Sequence, residues 1–141
     1  MKVKQLILIL MSILAIASCK KEAGDGGNSS ISGRVMIERR RLLDNYTTAE
    51  DTIPAADQDV FIIYGDHVSP DDRIQTNYDG EFEFLYLRPG NYTIYTFSKD
   101  TTATPTPWGE DHLTILQKVE ITEKKQNVSL NTMFIYDVYE N

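Results

Sequence analysis

The chain is predicted to be all-β, a sandwich of seven short antiparallel strands, and three observations carry that prediction. Apolar and polar residues alternate at period two, as where Phe82 and Phe84 interleave with Glu81 and Glu83. Gly, Pro, Asn and Asp break the chain at roughly eight- to twelve-residue intervals. Tyr, Phe, Ile, Val and Thr dominate the segments between, and no amphipathic helical stretch competes. Strands of this number in about 110 residues bury their apolar faces best as two packed sheets.

The first 18 residues are set apart. Lys2 and Lys4 precede an almost wholly apolar run from Leu6 to Ile16, shorter than the roughly 20 residues a membrane-spanning helix needs. These are the proportions of a secretory signal peptide over 1–18. Its end, Ile16-Ala17-Ser18-Cys19, resembles a bacterial lipobox, in which the Cys is diacylated and becomes the new N-terminus. Cys19 is the single Cys of the chain, and an unmodified exported thiol would be reactive, so lipidation is expected there. Several acyl chains on one residue anchor it stably. By resemblance to lipoprotein sorting rules, Lys20 after the Cys points to the outer membrane. Residues 19–30, rich in Gly, Ser, Asn and charge, read as a flexible tether. The folded module is assigned to 31–141.

The strands then follow in order. Ile31, Gly33, Val35 and Ile37 share a face of the first. Residues 39–58 read as a long polar connection, with a helical turn near Arg41-Leu42-Leu43, and the triple Arg as a solvated strand end facing acidic residues. Asp59 to Tyr64 reads as a strand with Val60, Ile62 and Tyr64 toward the core. Thr76 to Phe97 reads as strand, turn, strand, turn, strand. Pairing Thr76 with Phe82 puts like with like, which requires a three-residue connection Tyr78-Asp79-Gly80 with Gly80 left-handed. Arg88-Pro89-Gly90-Asn91 has the residues of a type II turn. A three-stranded antiparallel meander is the prediction. Tyr92, Ile94 and Thr96 take one face of its last strand, and Thr93, Tyr95 and Phe97 the other. After the polar loop 99–112, a strand with Val119 and Ile121 inward is followed by a last strand, whose change of parity between Leu130 and Met133 calls for a bulge near Asn131.

Composition narrows function. The formal charge is -7, and loss of Lys2 and Lys4 with the leader makes the remainder about two units more negative. That disfavours nucleic acid as a partner. His67 and His112 are the only histidines and lack metal-ligand spacing, so no metal or other cofactor is expected. Asp71, Asp72 and Asp79 could collect Ca²⁺, but Asp serves turns regardless. Trp108, Tyr95 and Phe97 could form an aromatic platform for a sugar ring; equally, Trp108 could fold back as a satellite core. Asp51-Thr52-Ile53 and Asp100-Thr101-Thr102 resemble a Bacteroidetes O-glycosylation motif, making Thr52 and Thr101 candidate loop sites.

Taken together, Ile31-Ser32-Gly33-Arg34-Val35, Ile53-Pro54-Ala55 leading to Val60-Phe61-Ile62, Thr76 to Asp79-Gly80 with Phe82 and Phe84, and Leu87-Arg88-Pro89-Gly90-Asn91-Tyr92-Thr93-Ile94 resemble the carboxypeptidase regulatory-like domain. That family belongs to the transthyretin-like (prealbumin-like), Cna-B-related sandwiches, and such lipoproteins are common in Bacteroidetes-like bacteria. The resemblance covers most of Ile31 to Leu130 and implies a non-catalytic appendage rather than an enzyme. The C-terminus lacks the Tyr-Arg-Gly-Ser end of the related hydroxyisourate hydrolases, and Ile31 to Ile37 contains no Lys for an isopeptide bond. The expected roles are an accessory or scaffold module contacting another envelope protein, a glycan-binding lipoprotein, or an adhesin or pilus-type subunit.

Overall fold

The computed structural model describes residues 22–43, 46–99 and 112–139. They form an all-β sandwich of nine strands: β1 (Asp25–Leu43), β2 (Tyr46–Pro54), β3 (Asp59–Tyr64), β4 (Asp72–Gln75), β5 (Glu81–Leu87), β6 (Gly90–Lys99), β7 (His112–Ile121), β8 (Asn127–Ser129) and β9 (Met133–Tyr139). In the first sheet β1 is central. Antiparallel β5 and then β2 follow one another along one edge, and parallel β8 and then β9 along the other. The second sheet has the order β4-β3-β6-β7, antiparallel throughout.

The inward residues are those the alternation selects, except that Tyr86, at φ 60°, turns outward and Leu87 inward at the end of β5. Ile31, Val35, Phe82, Phe84, Leu87, Met133 and Ile135 from the first sheet meet Val60, Ile62, Tyr92, Ile94 and Ile121 from the second. Buried hydroxyls stitch the layers together, because an unpaired polar group in the interior would be costly. Ser98 Oγ in β6 accepts the Tyr136 amide of β9 at 2.8 Å, and the Thr76 hydroxyl donates to Ala55 O.

Several expectations need correction. Nine strands replace seven, and β8 and β9 run parallel to β1, because the chain leaves β7 in the second sheet and crosses to the first before climbing beside β1. Residues 25–30, expected as tether, form the start of β1, with Ser29 and Ser30 buried. The polar connection 39–58 is largely a β-hairpin of β1 with β2, with no helical turn at 41–43. Its strands project beyond the apolar core, so cross-strand ion pairs such as Arg39 with Asp51, and Arg41 with Glu50 at 2.5 Å, replace the apolar alternation that marks buried strands.

The meander is the largest departure. The turn itself is as expected: Asn77 and Glu81 flank Tyr78-Asp79-Gly80, Gly80 has φ 74°, and Asn77 Oδ1 accepts the Asp79 and Glu81 amides. Thr76 and Phe82 are both buried. Beyond them the strands part, β4 pairing with β3 and β5 with β1. Arg88-Pro89 likewise links the two sheets instead of closing a type II hairpin, and Gly90 pairs with Ile121 at φ 155°. The bulge near Asn131 is present. β1 advances from Ser32 to Val35 while its partner advances from Ser129 to Met133, one residue more.

Two predictions follow from these turns. A Cβ on Gly80 would lie 2.3 Å from Val35 O, whereas one on Gly65, also at positive φ, would meet nothing within 4 Å. In chemical denaturation, Gly65→Ala should lose about 1 kcal/mol for its φ alone, and Gly80→Ala about 2–4 kcal/mol. In the β3–β4 turn, His67 Nδ1 lies 2.7 Å from Asp71 Oδ1, and this hydrogen bond and the carboxylate charge raise the His67 pKa. Desolvation pushes the Asp71 pKa up, but the Tyr64 amide, the hydrogen bond to His67 and its charge outweigh it, so the net shift is down. A raised His pKa stabilises the fold fully below the unfolded value of about 6.5 and loses that contribution as pH rises through the folded one. NMR titration should therefore find the His67 midpoint above 6.5 in the wild type and nearer that value in Asp71→Asn.

Candidate functional site

The outward residues of the second sheet form an aromatic cluster near the end where β6 stops and β7 begins. Antiparallel pairing sets Phe61 of β3 beside Tyr95 of β6, and Tyr95 beside Leu116 of β7. The Phe61 and Tyr95 rings stack, with centroids 5.0 Å apart and planes at 15°. Phe97 stands edge-on to both, at 5.7 Å from Phe61 and 5.5 Å from Tyr95. His112 adds an imidazole edge 6.3 Å from Phe97. Such edge-to-face arrangements suit the ring quadrupoles. Phe97 remains 40% exposed and Leu116 51%.

Polar groups border these rings. A groove of about 390 Å³ runs past Phe61, Phe97 and His112 to Asp59, Lys99 and Asp137. Gln58 fixes the strand entry: its amide N–H donates to Thr76 Oγ1 at 2.9 Å and its side chain to Thr96 Oγ1 at 3.0 Å. The Thr96 hydroxyl in turn donates to the Asp59 carbonyl at 2.7 Å. Asp59 is thereby held by its backbone, and its two carboxylate oxygens differ. Oδ2 lies 3.4 Å from Arg73 Nη1, and Oδ1 is shielded yet finds no donor among the described residues. Across the groove Lys99 Nζ lies 3.4 Å from Asp137 Oδ1. The corner thus offers ring surfaces, a buried-edge acceptor and a mixed pair of charges.

Of the residues singled out in the sequence, Tyr95 and Phe97 are brought together as expected, on the outer face. Trp108, Thr101 and Cys19 lie outside the described residues. Thr52 is exposed, but it sits within β2 opposite Glu38 rather than in a loop, and the neighbouring Asp51 carboxylate is bound to Arg39. Phe61, Asp59 and His112 were not foreseen as site residues. Phe61 has the parity opposite to Val60 and Ile62, which is a usable signal. Its apposition to Tyr95 depends on a pairing that no local pattern encodes. Asp71 and Asp72 lie at the other end of the second sheet, engaged with the Tyr64 and Arg73 amides, and Asp79 sits in the separate turn before β5. No group of three His, Cys, Asp or Glu among the described residues is placed to hold a metal ion.

No protein-family model matches the chain, and no curated protein does. Among solved structures, one from Pseudomonas aeruginosa, described as a "putative carbohydrate binding protein", overlaps 82% of this chain and 93% of its own, with 13% identity and a TM-score of 0.44. That overlap is too loose to assign either fold or ligand.

Proposed function

We propose that the chain is an outer-membrane lipoprotein, anchored through Cys19, whose sandwich is a non-catalytic accessory module of carboxypeptidase regulatory-like type that binds carbohydrate at the aromatic corner. The observation that carries the ligand class is the half-exposed Phe97, backed by Tyr95 and Phe61, beside Asp59, whose Oδ1 has no donor among the described residues while Oδ2 pairs with Arg73. A pyranose presents axial C–H groups on one face and hydroxyls around its rim. Aromatic rings take the first and a fixed carboxylate the second. The lipobox-like Ile16-Ala17-Ser18-Cys19 behind an apolar leader supports the anchor, and the turn and core motifs from Ile31 to Leu130 support the family reading.

A second reading rests on a separate feature. β7 pairs only with β6, leaving its other edge unpaired among the described residues, with Leu113 and Leu116 exposed. Such an edge can accept a strand from another envelope protein.

Titration of the protein against an oligosaccharide panel separates the two. The carbohydrate reading expects saturable binding, weakened about 3- to 10-fold by Phe97→Ala and about 10- to 100-fold by Asp59→Ala, with unfolding midpoints little changed for the exposed Phe97. A panel without binding, or binding indifferent to both substitutions, rejects it. Strand addition would instead respond to Leu113→Lys and not to Phe97→Ala.

A further inference from the structure

The described structure begins almost at the anchor. Gly24 is buried, and both of its backbone groups are held: its N–H donates to the Tyr92 hydroxyl oxygen at 3.0 Å and its carbonyl accepts the Arg88 amide at 2.8 Å. The Tyr92 hydroxyl donates onward to Arg88 O at 2.6 Å. Next to this, the Tyr64 hydroxyl donates to Asp25 Oδ1 at 2.9 Å. Tyr92 is 1% exposed, so the clamp is rooted in the core. Only Lys20, Lys21, Glu22 and Ala23 separate Cys19 from Gly24. Fully extended, that path covers about 17 Å, roughly half the ~33 Å length of a ten-residue strand such as β6. The far end of the sandwich is therefore out of reach of a bilayer that holds Cys19.

The near end also has an electrostatic polarity. Arg88, Lys118, Lys124 and Lys125 have no carboxylate ion-pair partner among the described residues, whereas Arg34, Arg39, Arg40, Arg41, Arg73 and Lys99 all do. Arg88 and Lys124 line one groove of about 380 Å³, together with Gly26, Gly27, Asn28 and Pro89. Of the acids at this end, Asp66, Asp71 and Asp72 gather in the β3–β4 turn, at the edge of the second sheet away from β7, Asp25 is engaged by the Tyr64 hydroxyl, and Glu120 and Glu123 lie on the β7 side.

We propose that the module stands end-on against the bilayer, with the Arg88–Lys124 groove on phospholipid headgroup phosphates and the aromatic corner directed away. This rests on the anchoring of Cys19 proposed above. The short tether excludes the inverted orientation. Arg88 and Lys124 draw their groove toward anionic headgroups, and the acidic β3–β4 turn is repelled.

The test uses the full chain, processed in cells and reconstituted into phosphatidylethanolamine–phosphatidylglycerol vesicles carrying a headgroup nitroxide. A fluorophore is placed on Glu123→Cys at the near end, or on Ala49→Cys in the β1–β2 hairpin. Mass spectrometry first establishes the state of Cys19. With lipid present, the probe at 123 should lose most of its emission and the probe at 49 keep it. Adding Arg88→Gln and Lys124→Gln should restore much of the emission at 123. Equal quenching at both sites, stronger quenching at 49, or no response to the double substitution overturns the orientation while leaving the anchor intact. Absence of lipid on Cys19 overturns the anchor, and the orientation with it.

Discussion

The first sheet depends on how Val35 joins two neighbours into one edge. Along that side of β1, β5 starts at Glu81, opposite Arg34, and β2 ends at Pro54, opposite Met36. Val35 closes the gap: its amide donates to Gly80 O at 2.8 Å, and its carbonyl accepts the Ala55 amide at 3.1 Å. Its side chain is fully buried. Without those bonds, two strand ends would leave backbone groups unpaired in the interior, the arrangement that folded chains avoid. The junction explains why residue 80 is glycine, since its carbonyl has to reach Val35 along a path with no room for a side chain. On the opposite edge, β8 gives way to β9 at almost the same level, with the extra residue between Ser129 and Met133 absorbing the change. A single strand of 19 residues can thus anchor four others.

This arrangement separates what the sequence makes legible from what it hides. Side-chain parity is local, so the inward sets Ile31/Val35, Val60/Ile62, Tyr92/Ile94/Thr96 and Val119/Ile121 could be read directly, as could the Asn77–Gly80 turn. Partner choice is not local. Thr76 and Phe82 are both buried on either side of a correctly read turn, yet β4 and β5 enter different sheets, because Ile74 finds Val60 and Phe84 finds Ile31. A period-two pattern is identical in either arrangement. The β1–β2 hairpin was invisible for another reason: Arg39, Arg41, Glu50 and Asp51 pair by charge, and the pattern of a strand with two wet faces resembles that of a loop.

The same division applies to the aromatic corner. Tyr95 and Phe97 were legible because they oppose the buried parity of β6. Phe61 and Asp59 join them only through the β3–β6 pairing, and the loop between β6 and β7 separates Phe97 from His112 in sequence although their rings are neighbours. Asp59 also shows how stability and availability are divided within one residue. Its carbonyl is committed to Thr96, which is held in turn by Gln58, while one carboxylate oxygen is left without a donor among the described residues. A shielded acceptor without a partner disfavours the folded state, and a ligand hydroxyl placed there would remove that cost.

β6 connects this corner to the opposite end of the molecule. Its inward Tyr92 holds Gly24, and its outward Phe97, five residues on, carries the exposed ring, about 17 Å further along the strand. On the proposed anchoring, the distance between bilayer and ligand is then set by a strand paired on both sides rather than by a disordered tether. A long tether would let the module sample many heights and orientations, and capture of a ligand would have to give up that freedom. Here most of it is already lost on folding, at the Tyr92–Gly24 bond. A clamped N-terminus therefore suits a module whose ligand lies at a fixed height above the membrane, and a 12-residue linker would suit one whose ligand does not.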